Sequence, residues 1–218
     1  MRPNTLCRTI ILMVALFSMT ASLPLDAQPL SVRASAGFAH LPFPAWSNFW
    51  GQIQGSRYQQ NNLDLYYALS FHYALSEHHS VNVGTELVRS TASIASPLEN
   101  ALFVGEWRFQ GIPVTLGYEY RMTAFNEHFI PVAGAGVSYF FSQVEATHDL
   151  SDQTLKRTGR GYGLHGSLGL ITEMSQALSM VTQVRYRYSN GMAFTDPEGD
   201  IKVEFTGVDF SVGLAWTL

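Results

Sequence analysis

Residues 63–75 read LDLYYALSFHYAL, and this stretch decides the fold class. Each odd position from Leu63 to Leu75 carries an apolar or aromatic side chain, while the even positions include Asp64 and His72 and are mostly polar or small. Successive side chains of a β-strand point to opposite faces of the sheet. The two-residue period therefore predicts a strand with one apolar face and one polar face.

The same alternation recurs along the rest of the chain. It is found in seven further segments, which are residues 32–38, 81–87, 112–120, 133–141, 164–170, 178–188 and 208–218. A tilted strand crosses a membrane with about 9–11 residues, and most of these segments approach that length. The pattern predicts an all-β protein with eight strands.

The connections between the predicted strands alternate in length. The long ones are residues 41–62, 90–111, 145–160 and 190–206, and the short ones are residues 76–79, 122–128 and 174–176. Outer-membrane barrels have short periplasmic turns and longer extracellular loops. We therefore predict an eight-stranded antiparallel up-and-down transmembrane β-barrel, with the four long segments facing outward and both termini in the periplasm.

The composition excludes several other classes of protein. Charged residues make up only 14% of the 218 residues, where a soluble domain averages about 25%. A formal net charge of −4 argues against a nucleic-acid partner, because nucleic-acid-binding domains are basic. High aromatic content and low net charge also argue against a disordered chain.

The first 27 residues have the pattern of a secretory signal peptide. Arg2 and Arg8 precede an apolar run at residues 10–19, which is too short to cross a membrane as a helix. With cleavage after Ala27, the barrel domain is predicted to span residues 28–218. The only cysteine, Cys7, leaves with the signal, so the exported chain has no disulfide and no thiolate metal site.

The last eight residues carry the most specific motif. Ser211, Gly213, Trp216 and Leu218 have the spacing of the C-terminal insertion signal of bacterial outer-membrane barrels, although those usually end in Phe. With the segments 111–118 and 131–137, the chain resembles the superfamily of small eight-stranded outer-membrane β-barrels, similar to the OmpA-barrel and OmpX class. The resemblance implies an outer-membrane location, insertion by the barrel-assembly machinery, contact with lipopolysaccharide and a monomer without a cofactor.

A secreted lipocalin-like barrel is the rival fold, because alternation alone does not distinguish the inside of a barrel from the outside. The polar faces of the predicted strands are rich in Gly and Ser, which suits a narrow interior filled with side chains. Strands facing water would carry more Lys and Glu. These features favour the membrane barrel.

One segment near the end of the seventh predicted strand resembles an enzyme motif. Lipid A deacylases built on eight-stranded barrels carry His-x-Ser-Asn followed by an acidic residue; here Ser189, Asn190 and Asp200 match, but Arg187 occupies the histidine position. Arginine stays protonated and cannot act as a general base. We therefore expect no catalytic site and a structural or surface-interaction role in the envelope. A deacylase-like enzyme and a narrow channel or small-ligand carrier are the alternatives.

Other candidate sites are weaker. The seven histidines show no metal-binding spacing, so we expect no metal site. Lys156, Arg157 and Arg160 form either a solvated loop or a contact with lipopolysaccharide phosphates. The first long connection is rich in aromatic residues that belong to an interfacial girdle or to a contact surface, and these are Phe43, Trp46, Phe49, Trp50 and Tyr58.

Charged residues on the polar faces predict a network inside the barrel, since a buried charge is costly unless it is paired. Asp209 shares parity and height with Arg185 on the neighbouring strand, so Arg185 or Arg187 should pair with Asp209. Glu86 should reach across the lumen as a second acceptor. A lower group nearer the periplasm is predicted to contain Arg33, Glu119, Arg121 and Glu173.

Overall fold

The protein is described from a computed structural model that covers residues 30–42, 57–60, 64–98, 101–126, 128–148, 151–189, 192–196 and 199–218. Its strands are β1 (Leu30–His40), β2 (Arg57–Gln60), β3 (Asp64–Ala74), β4 (His79–Leu98), β5 (Ala101–Arg121), β6 (Phe129–His148), β7 (Ser151–Glu173), β8 (Leu178–Ser189), β9 (Met192–Asp196), β10 (Gly199–Val203) and β11 (Gly207–Thr217). The described part of the chain contains no helix, and therefore none long and apolar enough to cross a membrane.

Eight of the strands close into an antiparallel barrel. Neighbours follow the chain in the order β1, β3, β4, β5, β6, β7, β8 and β11, and β11 pairs with β1 to complete the ring. Three short strands extend the sheet at one end: β2 pairs with β4, β9 pairs with β7, and β10 pairs with β9. The eight-stranded antiparallel barrel expected from the sequence is confirmed.

The register of the strands fixes the width of the barrel. Starting at Leu30, we can pass from each residue to its paired residue on the next strand until the path around the barrel returns to β1. The path returns at His40, which is ten residues further along the strand. Such an offset requires strands tilted by about 40° to the barrel axis. An eight-stranded barrel of this kind has an interior just wide enough to be filled by side chains.

The apolar faces of the strands point outward. Exposed fractions are 60% for Leu116, 59% for Leu164 and 66% for Leu168, whereas Asp209 and Ser211 on the inner face are each 2% exposed. The exposed apolar side chains form a band around the wall, and such an area indicates contact with lipid. The soluble lipocalin-like alternative is therefore wrong, because it requires the opposite facing.

Aromatic side chains border this band at both ends. At the end with the turns at residues 75–78, 122–126 and 174–177, called here the turn end, they include Tyr73, Tyr120 and Trp216. At the opposite end, called the hairpin end, they include Tyr67 and Tyr162. Aromatic belts of this kind lie at the two interfaces between lipid and water.

Two of the predicted long loops are instead strand. Strands β4 and β5 stay paired as far as Leu98 and Ala101, and β6 and β7 stay paired nearly to their ends, so residues 90–98 with 101–111 and residues 145–148 with 151–160 extend the wall as hairpins. In these extensions Ile94 and Phe109 point inward, while Ser93 and Arg108 are exposed. In these extensions the outer face of the wall contacts water, so the apolar side chains point inward and the polar ones outward. The outward apolar pattern that identified the other strands in the sequence is therefore missing here.

The two prolines within the predicted strands are accommodated differently. Pro131 is the third residue of β6, near a strand start where a missing N–H is tolerated. Pro113 lies in the middle of β5, where the pairing with β4 is interrupted between Thr85–Val114 and Val88–Gly111. The missing donor thus falls in a gap of the ladder rather than near a strand end.

Several predictions lie outside the described residues. They include the signal peptide at residues 1–27 and the aromatic group formed by Phe43, Trp46, Phe49, Trp50 and the side chain of Tyr58.

The placement of the hairpins and turns predicts which residues face the cell exterior. Cys7 is the only cysteine and lies within the predicted signal peptide, so one introduced cysteine provides a unique thiol. On intact cells, a membrane-impermeant maleimide should label Ser93→Cys on the β4–β5 hairpin. Ser175→Cys in a short turn should be labelled only after the outer membrane is permeabilised. The reverse result would contradict the orientation.

Candidate functional site: the charged interior

Four charged side chains meet inside the barrel near the hairpin end, and we call them the upper charge cluster: Glu86, Arg185, Arg187 and Asp209. Arg185 Nε lies 3.2 Å from both carboxylate oxygens of Asp209, and Arg187 Nη2 lies 2.8 Å from Asp209 Oδ2. These contacts join neighbouring strands, because Arg185 and Asp209 are direct partners in the β8–β11 pairing.

Glu86 completes the cluster from β4, on the far side of the lumen. Its carboxylate accepts a hydrogen bond from Arg185 Nη1 and lies 2.9 Å from Arg187 Nη2. All four residues are buried, with exposed fractions of 7% or less. Two guanidinium groups and two carboxylates give a formal charge of zero, which is the condition for burying such groups at a tolerable cost.

The ring of Tyr66 packs against both guanidinium groups. Arg185 Cζ lies 5.0 Å and Arg187 Cζ lies 5.7 Å from the ring centroid, within the range of a cation–π contact. Tyr66 is itself 2% exposed. It therefore joins the charge cluster to the apolar side chains above it.

A second group, the lower charge cluster, lies nearer the turn end and contains Arg33, His72, Glu119 and Arg121. Arg33 on β1 and Glu119 on β5 form a bidentate pair across the lumen, with distances of 3.0 and 3.2 Å. His72 Nδ1 lies 4.0 Å and Arg121 Nε lies 3.9 Å from Glu119. The imidazole Nε2 is also 2.9 Å from the hydroxyl of Ser70.

The sequence placed Glu173 in this lower group, and that prediction is wrong. Glu173 is exposed at the last position of β7, beyond Ile171, which packs with Val132 and Val181 in a separate apolar layer. Glu173 has the inward parity, but the tilt of the strands puts it at the rim, where water solvates its carboxylate. Arg121 is also partly exposed and belongs to the edge of the cluster.

A polar cavity of about 50 Å³ lies between the two clusters. Its walls include Arg33, His72 and Glu119 from below and Glu86 and Arg185 from above. A polar space of this size suits a few water molecules. The charged groups are therefore joined by a small internal space rather than by an open channel.

Apolar side chains fill the interior above the upper charge cluster. This apolar plug consists of Ala39, Leu41, Val88, Ala92, Phe109, Phe140, Val144 and Phe205, with Tyr66 at its base. Phe140 and Phe205 stack with ring centroids 6.0 Å apart. Together, the plug, the two charge clusters and the apolar layer at the turn end occupy the lumen in series.

Two residues of the enzyme-like motif, Ser189 and Arg187, are buried and make contacts within this interior. The Ser189 side chain is buried and its Oγ accepts a hydrogen bond from the backbone N–H of Phe205 at 2.8 Å. Arg187 is held by two carboxylates. Asn190 and the side chain of Asp200 lie outside the described residues.

The remaining candidate residues are divided between the inner and outer faces of the barrel. In the C-terminal motif, Ser211 and Gly213 face inward, while Trp216 and Leu218 face outward and are exposed. Lys156 and Arg160 are exposed on the outer face of β7, and Arg157 faces inward. Within the described ranges, no three His, Cys, Asp or Glu side chains are grouped so that they could hold a metal ion.

Sequence reasoning missed three residues of the interior. Tyr66, His72 and His165 all lie on polar faces of predicted strands, so parity was the signal that could have identified them. His165 lines the cavity, and its Nδ1 lies 3.2 Å from the hydroxyl of Ser138. Gly136 leaves room for this ring, because a Cβ there would lie 2.7 Å from the imidazole.

Comparison with known proteins supports the fold. The sequence matches no protein-family model and no curated protein. A major outer membrane protein from Thermus thermophilus is 14% identical with a TM-score of 0.54, and the match covers 88% of this chain and all of that chain. Neisserial surface protein A is 12% identical with a TM-score of 0.49, covering 87% and 97%. The N-terminal β-barrel domain of Pseudomonas aeruginosa OprF is 12% identical with a TM-score of 0.44, covering 88% and 100%.

The likeness to the Thermus protein, together with the closed ring and the apolar outer band, defines the class of protein. The chain has the fold of the small eight-stranded outer-membrane β-barrels, as the resemblance in its sequence implied. At this level of identity the similarity is one of fold alone.

The upper charge cluster predicts a large effect of removing one carboxylate. Asp209→Ala leaves two guanidinium groups with only Glu86, and breaking a buried ion pair costs roughly 3–5 kcal/mol. We therefore expect the barrel to unfold with its midpoint at a lower urea concentration. The folded fraction at each urea concentration is measured from the gel mobility, which differs between the folded and the heat-unfolded protein.

Two further variants separate charge from packing in this test. Ser211→Ala, which is equally buried on the same strand, should change the midpoint little. Adding Arg187→Met to Asp209→Ala leaves one charge of each sign and should recover part of the loss. An unchanged midpoint for Asp209→Ala would contradict the role of the cluster.

Proposed function

We propose that this protein is an integral outer-membrane barrel, closed to solutes, that acts at the cell surface through its two long hairpins. The observation that carries the proposal is the filled lumen: the apolar plug and the charge clusters occupy it in series. Because solutes have no pathway through the filled lumen, the protein can contact other molecules only through its outer surface and its projecting hairpins.

The two hairpins support a role beyond anchoring. Strands β4 and β5 continue past the aromatic belt of the hairpin end to Leu98 and Ala101. Strands β6 and β7 continue past it to His148 and Ser151. Paired strands hold their outward residues in a fixed arrangement, which lowers the entropic cost of binding a partner. The apolar band anchors this platform in lipid.

Other parts of the proposal follow from the resemblance. The C-terminal motif ending at Trp216 and Leu218 supports insertion by the barrel-assembly machinery, after export directed by the signal peptide. We further propose that the barrel works as a monomer, without a cofactor.

Shortening the hairpins should separate a surface role from a structural one. Ala92 and Trp107 are direct partners, as are Ala146 and Leu155, so Asn-Gly in place of residues 93–106 or 147–154 would close each hairpin with a two-residue turn. Both shortened barrels should insert and show heat-dependent gel mobility. Neither shortened barrel should complement the envelope defect of a strain from which the gene is deleted.

The matched control keeps the full hairpin and replaces only residues 99–100 with Asn-Gly. It should complement the deletion as well as the natural chain does. Full complementation by both shortened barrels would overturn the surface role and favour one within the barrel wall.

Closure of the lumen predicts the electrical behaviour of the purified protein. Inserted into a planar lipid bilayer in potassium chloride, it should give no sustained conductance steps, while a general porin in the same bilayer serves as the positive control. Stable, reproducible steps would contradict the closed barrel and favour the channel alternative.

A further inference from the structure

Four cationic side chains project from the outer faces of β4, β5 and β7 above the apolar band. They are Arg89, Arg108, Lys156 and Arg160, and all are exposed. Since the chain as a whole has a net charge of −4, this concentration of positive charge on one side of the barrel requires an explanation.

The two cations farther from the band are neutralised by acidic neighbours. Arg108 Nε lies 2.9 Å from Glu106, and Lys156 Nζ lies 2.7 Å from Glu145. The hydrogen bond from Lys156 lowers the pKa of Glu145, and the hydrogen bond to Glu106 raises the pKa of Arg108. These residues form two self-contained surface ion pairs.

Arg89 and Arg160 differ from Arg108 and Lys156. Neither has a carboxylate within ion-pair distance among the residues that the structure describes. Arg89 is paired across the sheet with Leu65, and Arg160 with Phe141. Tyr162 lies two positions from Arg160 towards the band, and Tyr67 pairs with Leu87, two positions from Arg89. Both arginines therefore lie next to the aromatic belt at the hairpin end.

The spacing of these two arginines is set by the sheet. Strands β5 and β6 lie between β4 and β7, and Arg160 is two residues along β7 from the partner of Gln143. Three strand spacings and an offset of two residues correspond to about 16 Å. The outward side chains on the intervening strands at this height are the amides of Gln110 and Gln143, which pair directly across the sheet. The pairing from Arg89 runs through Gln110 and Gln143 to Thr158, and Arg160 lies two positions further along β7, towards the band. The surface therefore presents two amides flanked by two cations in a slanted row, with the amide of Gln143 donating a hydrogen bond to Glu145 at 2.7 Å.

We propose that this row binds lipid A, with Arg89 on one phosphate, Arg160 on the other, and Gln110 and Gln143 facing the sugars between them. Lipid A carries a phosphate at each end of a glucosamine disaccharide, and its acyl chains would lie against the apolar band below. Guanidinium groups bind phosphate through paired hydrogen bonds. A glycerophospholipid offers one phosphodiester and would occupy only one arginine.

The inference rests on the proposed outer-membrane orientation, which places the hairpin end in the leaflet that contains lipopolysaccharide. The maleimide labelling of Ser93→Cys tests that orientation separately. A failure of lipid A binding with correct labelling would therefore count against this site alone.

The test measures binding of fluorescent bisphosphorylated lipid A to the full-length barrel refolded in detergent micelles. Arg89→Gln and Arg160→Gln should each weaken binding on the order of tenfold, because each removes a charged hydrogen-bonding partner. Arg108→Gln is the matched control on the same face and should bind like the natural chain. Heat-dependent gel mobility confirms that each variant is folded, and Arg89→Lys and Arg160→Lys should retain part of the affinity.

Two comparisons with other lipids identify the ligand. Monophosphorylated lipid A should bind on the order of tenfold more weakly to the natural barrel and should lose sensitivity to one of the two substitutions. Phosphatidylglycerol should compete poorly. Equal binding by all glutamine variants, equal binding of the two forms of lipid A, or equal competition by phosphatidylglycerol would each overturn the proposal.

Discussion

Closure of the backbone hydrogen-bond ladder is the constraint on which the rest of the structure depends. A strand edge exposed to hydrocarbon leaves N–H and C=O groups without partners, so β11 must return to β1. With eight strands and an offset of ten residues between Leu30 and His40, the ring is narrow. Its width then determines that side chains, rather than a column of water, fill the interior.

The narrow interior governs how charge is arranged on its two sides. Inside, each charge cluster brings opposite charges together from several strands, as in the contacts of Arg185 with both Asp209 and Glu86. Outside, charges are absent from the apolar band among the described residues and reappear at both of its borders, with Arg89 and Arg160 at the hairpin end and Glu77 in a turn at the other end. The wall thus carries its apolar side chains on the outer face where it contacts lipid, and on the inner face where the hairpins extend into water.

Parity was sufficient to predict much of this arrangement from the sequence. Alternation put Arg185 and Asp209 on the same face of adjacent strands, because the side-chain period of a strand does not depend on its precise ends. Height was harder to predict: Glu173 has the correct parity but lies at the rim, since the tilt of the strands is a property of the closed ring. The hairpin extensions were missed because their polarity is reversed, as at Ile94 and Ser93. The packing of Tyr66 against two guanidinium groups depends on strands far apart in sequence.

The cross-lumen ion pairs have a consequence for how the barrel assembles. Arg33 and Glu119 are 86 residues apart in the chain, and Arg185 and Glu86 are 99 residues apart. A partly assembled sheet would hold these groups uncompensated beside hydrocarbon, and loop-closure entropy must be overcome before they meet. Intermediates with few strands are therefore penalised by the same charges that stabilise the finished ring. The barrel should be acquired in one cooperative step, in which the first and last strands join as the interior becomes electrically neutral.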